Sequence, residues 1–323
     1  MKRLIVMSVA FSLQIASRGR DFGVDVSHYQ GATGISQASW SQMYSGGRRF
    51  AFVKASEGLT GPDDAAMSNN VVRASAAGLL VGVYHYPHPE NRTNTAGAIL
   101  EADHFISYAG NAIGPGRLRP VLDVEGSAAN LSKTGLTDWI IAFSDRIISR
   151  KGPGAAPIIY MNRSFARDEV DTRLANYDLW LAYYTNVDVS IAEPPPTTSY
   201  PDPTGVFNNW SFWQYTDSGS SGGISPLDLD VCHSEYKTLG SFLIPFPPIV
   251  VSSIIVKTGG VIELALTNTP GRSLTAVAST NIALPLINWS VLGPFTESPA
   301  GFYKFSDIPI PANRQRFYRV RSP

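Results

Sequence analysis

The chain has 323 residues and a mass of 34.9 kDa, enough for two domains or for one large domain with a small appendage. Hydrophobic residues make up 44% and charged residues 16%, a core-forming composition that excludes an intrinsically disordered chain. Twenty-six Lys and Arg balance twenty-six Asp and Glu, which speaks against a nucleic-acid binder, and the lone Cys232 excludes an intramolecular disulfide or a multi-cysteine zinc site.

At the N-terminus, Lys2 and Arg3 precede the apolar run Leu4 to Ala10, followed by Phe11 and Leu13. This has the form of a short leader, residues 1–20, with small residues for cleavage near Ser12 or Ala16, and it predicts an exported protein, secreted or associated with the cell wall. The competing reading is a cytoplasmic start or a misplaced initiator Met. No run approaches the ~20 apolar residues needed to span a bilayer.

Strand patterns follow at Asp21–Val26, Phe50–Ala55, Leu79–Tyr86, Pro120–Glu125, Pro157–Met161, Asp178–Tyr183, Ser211–Thr216 and Leu227–Val231. Helical patterns separate them at Thr95–Tyr108 and Leu136–Arg150, and weaken or vanish after the sixth and seventh strands. PIIYM and DLWLAYY are too continuously apolar for a half-exposed sheet and predict strands covered on both faces. No Gly-rich phosphate turn follows any strand, so a doubly wound cofactor fold is disfavoured and no cofactor is expected. The sequence predicts an α/β fold over 21–244, an irregular flattened (β/α) TIM-like barrel. Asp25, Glu57, His85, Asp123, Glu125, Asn162, Gln214 and Asp228 all fall at or just past strand ends, which a barrel of parallel strands would gather at one mouth.

Glu193–Thr204 is a Pro-rich surface excursion between the sixth and seventh strands. Pro245–Pro248 is the expected linker, and beyond it residues 249–323 change texture to short alternating strands without helix. Those strands are expected at Val250–Val256, Val261–Leu266, Leu274–Ala278, Leu286–Trp289, Tyr303–Phe305 and Phe317–Arg321, forming a small β-sandwich with Trp289 in its core or on its surface. Arg272, Arg314, Arg316, Arg319 and Arg321 face only Glu263, Glu297 and Asp307 there, a balance that suits anchoring on an anionic wall as well as a solvated edge.

The segment P-V-L-D-V-E-G makes the strongest chemical statement. Alternation along a strand sends Asp123 and Glu125 to one face and Val124 to the other. Two adjacent acids repel and push a pKa upward, which a group protonating a leaving oxygen near neutral pH requires. The alternative is one solvated acid and one helix cap. Asp25 and Asp228 raise the count at the mouth to four carboxylates, which are costly to gather and contribute nothing to packing. Mg²⁺ or Ca²⁺ binding, with Asp228 and Asp230, is the rival explanation. Against it stand Tyr29, Tyr84, Tyr86, Tyr160, Trp180, Tyr183, Tyr184, Trp213 and Tyr215, aromatic neighbours suited to sugar rings, so no metal is expected. Tyr84, Tyr86, Tyr160, Trp180, Tyr183, Trp213 and Gln214 are the expected substrate-binding residues, any one aromatic being as readily core.

With these residues in order, the chain resembles glycoside hydrolase family 25, the Chalaropsis-type lysozymes or 1,4-β-N-acetylmuramidases. The resemblance rests on D-V-S-H-Y-Q-G at Asp25–Gly31, F-A-F-V-K-A-S-E-G at Phe50–Gly58, G-V-Y-H-Y at Gly82–Tyr86 and P-V-L-D-V-E at Pro120–Glu125. P-I-I-Y, L-W-L-A-Y-Y, W-Q-Y-T at Trp213–Thr216 and L-D-L-D at Leu227–Asp230 continue it over residues 21–240. It implies a lysozyme that cleaves the MurNAc–GlcNAc bond of peptidoglycan; the two-residue spacing of Asp123 and Glu125, which leaves little room for an inverting enzyme's water, predicts retention, and a monomer without metal or cofactor is expected. Glu125 resembles the general acid. Asp123 resembles its neighbour, which attacks the anomeric carbon or orients the 2-acetamido group, and Asp25 and Asp228 resemble the supporting aspartates. Asp230 departs from the Asn often found at that position, and Lys54 and Glu57 match a strand end as structural or substrate-flanking residues. Chitin hydrolysis and non-catalytic carbohydrate binding are the alternatives.

Overall fold

The computed structural model describes residues 20–184, 205–234, 236–309 and 315–322. Residues 1–19 of the leader, the Pro-rich excursion Glu193–Thr204 and Arg314 lie outside the described residues. The chain divides into two compact units at Pro245/Phe246, and among the described residues no helix is long and apolar enough to cross a membrane.

In the larger unit, β1 (Phe22–Val26), β2 (Arg48–Glu57), β3 (Leu80–Tyr86), β4 (Val121–Asp123), β5 (Ile158–Asn162), β6 (Leu179–Ala182), β7 (Trp210–Ser221) and β8 (Ile224–Cys232) close a barrel in chain order. Strands β1 to β7 pair in parallel, whereas β8 runs antiparallel to both β7 and β1. The expectation of an all-parallel barrel is corrected at this point: β7 turns back through Gly222 and Gly223, both at positive φ, and a two-residue turn of this kind can join only antiparallel strands.

Helices α1 (Gln37–Ser45), α2 (Met67–Ala77), α3 (Thr95–Ala109), α4 (Lys133–Lys151) and the short α5 (Arg163–Asp168) follow the first five strands. Ser36, Asn94, Ser132 and Asn162 cap α1, α3, α4 and α5 by accepting from backbone N–H groups with their side chains, which satisfies donors the first turn leaves open.

Period-two alternation sorts the strand side chains into two layers. Val24, Val26, Val53, Val83, Leu122 and Val124 face the helices, in a core shared with Trp139 and Phe143. Phe50, Phe52, Tyr84, Val121, Ile158, Tyr160, Trp180 and Phe212 fill the barrel interior, closed below by Leu239 and Phe242. The interior rings meet at centroid distances of 4.7 Å for Phe52–Trp180, 4.8 Å for Tyr160–Trp180 and 5.1 Å for Phe50–Phe212. The lower barrel is thus a dry aromatic floor, and its fit depends on Gly23, where an added Cβ would lie 2.3 Å from the buried Phe50 ring.

The smaller unit consists of β9 (Val251–Val256), β10 (Ile262–Thr267), β11 (Thr275–Ser279), β12 (Ser290–Pro294), β13 (Thr296–Glu297), β14 (Phe302–Asp307) and β15 (Phe317–Arg321). They form the sheets β13-β14-β10-β9 and β12-β11-β15, which share one core including Leu264, Leu266, Ala276, Tyr303 and Tyr318. The strand expected at Leu286–Trp289 is a 3-10 turn over Leu286–Asn288, and the strand begins at Ser290. Pro285 starts that turn, and Trp289 is 4% exposed, with its Nε1 donating to the Leu284 carbonyl. Arg316 pairs with Asp307, Arg319 lies over the Trp289 ring, and Arg272 donates to the carbonyl of Pro247, so these three arginines have partners within their own unit.

Gly23→Ala is expected to overpack the floor and destabilise the barrel by ~1–3 kcal/mol. Urea unfolding followed by tryptophan fluorescence checks this; an unchanged midpoint would show that the floor has slack.

Candidate active site

The rim of the barrel is built by the same alternation that builds its floor, one layer higher. On β1, Asp25 succeeds Gly23 on the inner face, and antiparallel pairing sets it opposite Asp228 of β8. On β2, Lys54 succeeds Phe50 and Phe52, and a register shift between Lys54 and Ser56 brings Glu57 back toward it. Lys54 Nζ donates to Glu57 Oε2 at 2.6 Å and lies 5.2 Å over the Tyr86 ring.

Strand β4 ends at Asp123, and Glu125 follows in extended backbone (φ −153°, ψ −171°), so the alternation carries on past the last ladder hydrogen bond. Glu125 precedes a 3-10 turn without capping it by its side chain, which removes the helix-cap alternative. Gly126 ends the segment at φ +60°, and an added Cβ there would meet the Tyr86 hydroxyl at 2.8 Å. Both conformation and space require glycine at this position.

The carboxyls are anchored by few donors. Gln214 Nε2 donates to Asp25 Oδ2 at 2.7 Å, while Gln214 Oε1 accepts from the hydroxyls of Tyr160 and Tyr184, each at 2.8 Å. Trp180 Nε1 donates to Asp230 Oδ1 at 2.9 Å. Asp123 Oδ1 and Asp230 Oδ2 are buried without a hydrogen-bond partner among the described residues.

Burial over the aromatic floor is the first cause of every shift that follows. It pushes Asp25 well above the carboxylate range, with the charges of Asp230 and Asp228 adding to it and the Gln214 hydrogen bond opposing. Asp123 rises well above its ordinary value through burial and then through Glu125, with Lys54 opposing. Glu125 is raised by burial and restrained by Lys54. Asp228 is pushed up to about 7 by burial and by Asp217, and Tyr86 up to about 12 by burial and by Glu125. Glu57 is the exception: burial would raise it, but hydrogen bonds from Lys54 and His88 bring it below the ordinary range. Lys54, held by an ionised Glu57, is thus the cation facing the Asp123–Glu125 pair.

Beside Glu125 the mouth opens into a cleft of about 470 Å³ lined by Tyr160, Asn162, Arg163, Tyr183 and Tyr184 among others. Of the sequence-predicted residues, Asp25, Asp123, Glu125, Asp228, Tyr84, Tyr86, Tyr160 and Gln214 come together on the inner face. Trp180 is inside but only 2% exposed, a support for Asp230 and the floor. Tyr183 lines the cleft while packing partly on the outer core.

Trp213 must be withdrawn from the substrate-binding set. It alternates outward from Gln214, is fully buried among the helix-facing core and donates from Nε1 to the Tyr183 carbonyl. Tyr215 likewise points outward, its hydroxyl accepting from Arg48, and Tyr29 is 82% exposed on the turn after β1. His85 faces the helices instead of the mouth: it lies between Ser56 Oγ and Glu101 Oε2 and stacks on Phe143. Tyr184, Asp230 and Lys54 also belong to the site, although the sequence offered Tyr184 only as one of the mouth aromatics, Asp230 only as a rival metal ligand and a departure from the family, and Lys54 only as a structural or substrate-flanking residue. The i, i+2 relation of Asp230 to Asp228 and of Lys54 to Phe52 was the available signal. Among the described residues, no three His, Cys, Asp or Glu side chains are placed to hold one metal ion.

A family model described as "Glycosyl hydrolases family 25" matches residues 24–224. Lysozyme M1 of Streptomyces globisporus is 31% identical over 212 residues, 63% of this chain and 64% of that protein. The N,O-diacetylmuramidase of Chalaropsis sp is 34% identical over 151 residues, 44% of this chain and 66% of that protein. The chain therefore spans just under two thirds of the length of both curated relatives. The crystal structure of the bacterial lysozyme from Streptomyces coelicolor superimposes with a TM-score of 0.51 at 28% identity, over 67% of this chain and 94% of that one.

Raised carboxyl pKa values have a stability consequence of definite sign. Between the ordinary carboxylate value of ~4 and its raised value, such a group binds more protons folded than unfolded, so its contribution to stability falls as pH rises through that window. For Asp228 the window ends at about 7. Asp228→Asn is expected to be more stable than wild type by on the order of 1–3 kcal/mol at pH 8, with the difference vanishing toward pH 4. Denaturant unfolding at the two pH values checks this, and a pH-independent difference would contradict it.

Proposed function

The chain belongs to glycosyl hydrolase family 25, and from that membership we propose that it is a muramidase, an exported lysozyme that hydrolyses the MurNAc–GlcNAc bond of peptidoglycan. The observation that carries this reading is the Asp123–Glu125 pair, raised by burial, facing Lys54 and opening onto a tyrosine-lined cleft. Glu125 lines the open side of that pair, the position for a proton donor to a glycosidic oxygen, while Asp123 lies deeper with one oxygen unpartnered among the described residues.

In the proposed mechanism Glu125 protonates the leaving oxygen, and Asp123 acts at the anomeric centre, as nucleophile or as the partner of an attacking 2-acetamido group. Asp25 and Asp228 fix the electrostatics behind them. Two carboxyls two residues apart on one extended segment leave little room for the water an inverting enzyme holds across ~6.5–9.5 Å, so the reaction proceeds with retention. The tyrosine rings suit the apolar faces of N-acetylated sugars.

Glu125→Gln keeps the shape of the side chain and removes the transferable proton, so turnover on bacterial walls is expected to fall ~10²–10⁴-fold with a thermal midpoint no lower than wild type's. Turbidity clearing beside a chito-oligomer assay checks it. Retention of more than about a tenth of turnover by both Glu125→Gln and Asp123→Asn would place the chemistry elsewhere, and clearing of chitin alone would overturn the muramidase reading. Proton NMR of the first product is expected to show the β anomer before mutarotation; a prompt α signal would refute retention.

A further inference from the structure

The mouth of the barrel poses an electrostatic problem for the substrate just proposed. Asp25, Asp123, Glu125, Asp228 and Asp230 converge there, and the facing cation, Lys54, is held at 2.6 Å by Glu57. Muramyl units carry carboxylates, either the free lactyl acid or the acids of an attached peptide, and an anion entering beside the carboxyls that do ionise is repelled unless a cation receives it.

The cleft beside Glu125 holds two guanidinium groups, and they differ in one respect. Arg167 is forked onto Asp168, with Nη2 at 2.6 Å and Nε at 3.0 Å from its carboxylate oxygens. Arg163 has no carboxylate within ion-pair reach among the described residues. It lies 5.2 Å over the ring of Tyr183, itself a wall of the cleft. The backbone beneath it is fixed, because Asn162 ends β5 and caps α5 at Phe165 N with 3.0 Å geometry. A guanidinium held over an aromatic face by cation–π attraction, with no carboxylate partner among the described residues, still has N–H donors to offer a planar acceptor such as a carboxylate. Cation–π attraction to Tyr183 places the charge of Arg163 at the wall of the substrate cleft, and a neutral glycan would make no use of that charge.

We propose that Arg163, held over the Tyr183 ring, forms a subsite for a carboxylate of the muramyl 3-O substituent and thereby biases the enzyme toward peptidoglycan over uncharged N-acetylglucosamine polymers. The inference rests on the muramidase reading, deepening it by naming the group that sets its specificity. Arg163 is a binding residue and takes no part in proton transfer.

The test compares wild type with Arg163→Gln on three soluble substrates: peptide-bearing glycan fragments, the same glycans stripped of peptide so that the lactyl acid is free, and fragments whose carboxyls have been amidated. The ratio of kcat/KM for carboxylated over amidated fragments is expected to fall about tenfold in the variant, chiefly through KM, because the lost contact is made equally in ground and transition states. A fall confined to peptide-bearing fragments assigns the subsite to the peptide, and a fall on stripped glycans assigns it to the lactyl acid. An unchanged ratio, including an equal loss on all three substrates, overturns the subsite while leaving the muramidase reading intact. Failure of wild type to cut any muramyl fragment overturns that reading, and the subsite with it. Arg163 is exposed, and a thermal melt of the variant matching wild type shows that the ratio reports recognition and not folding.

Discussion

Carboxyl groups packed above a floor of aromatic rings cannot all be ionised, and the properties of this barrel follow from that constraint. Phe50, Phe52, Trp180 and Phe212 exclude water from below, so the medium around Asp25, Asp123 and Asp230 screens charge poorly and each proton is held more tightly. Few donors reach the acids. Gln214 serves Asp25 and Trp180 serves Asp230, while one oxygen of Asp123 has no partner among the described residues. A site whose groups are left incompletely satisfied costs folding free energy, and it leaves hydrogen-bonding capacity to be used by a ligand.

The register of the strands turns this constraint into a directed arrangement. Lys54 is aimed at the Asp123–Glu125 pair because the irregularity in β2 returns Glu57 to the same side, where it fixes the amine. Tyr160 and Tyr184 direct Gln214, and Gln214 in turn directs Asp25. Positions far apart in sequence are thereby coupled through one amide: Asp25 and Gln214 are 189 residues apart and in direct contact.

Much of this was legible in the sequence because period-two alternation is a local property. The inner placement of Asp25, Asp123, Glu125, Tyr84, Tyr86 and Tyr160 follows from counting along strands flanked by turn residues. The count failed where both faces of a strand are apolar. In W-Q-Y-T, Trp213 and Tyr215 look as suited to a sugar as Gln214 does, and only the presence of helices outside the barrel shows that they are core. It failed again at β2, where a register irregularity shifts the count and sends Ser56 outward to His85, and at β8, whose reversed direction depends on a turn rather than on the strand's own residues. Asp230 was visible as a departure from the family pattern, but its position under the site, against Trp180, is a tertiary fact.

The central claim is that the Asp123–Glu125 pair keeps a proton that isolated carboxylates would have lost. Carboxyl-carbon NMR titration of protein labelled at Asp and Glu, assigned with Asp123→Asn and Glu125→Gln, measures this directly. Two interacting acids lose their protons in two steps that belong to the pair. The second step is expected well above the ordinary carboxylate value of ~4, as the shared burial and mutual repulsion of the pair require. Ionisation of both carboxyls together near ~4 would contradict it, since the aromatic floor would then exert no hold on the site it supports.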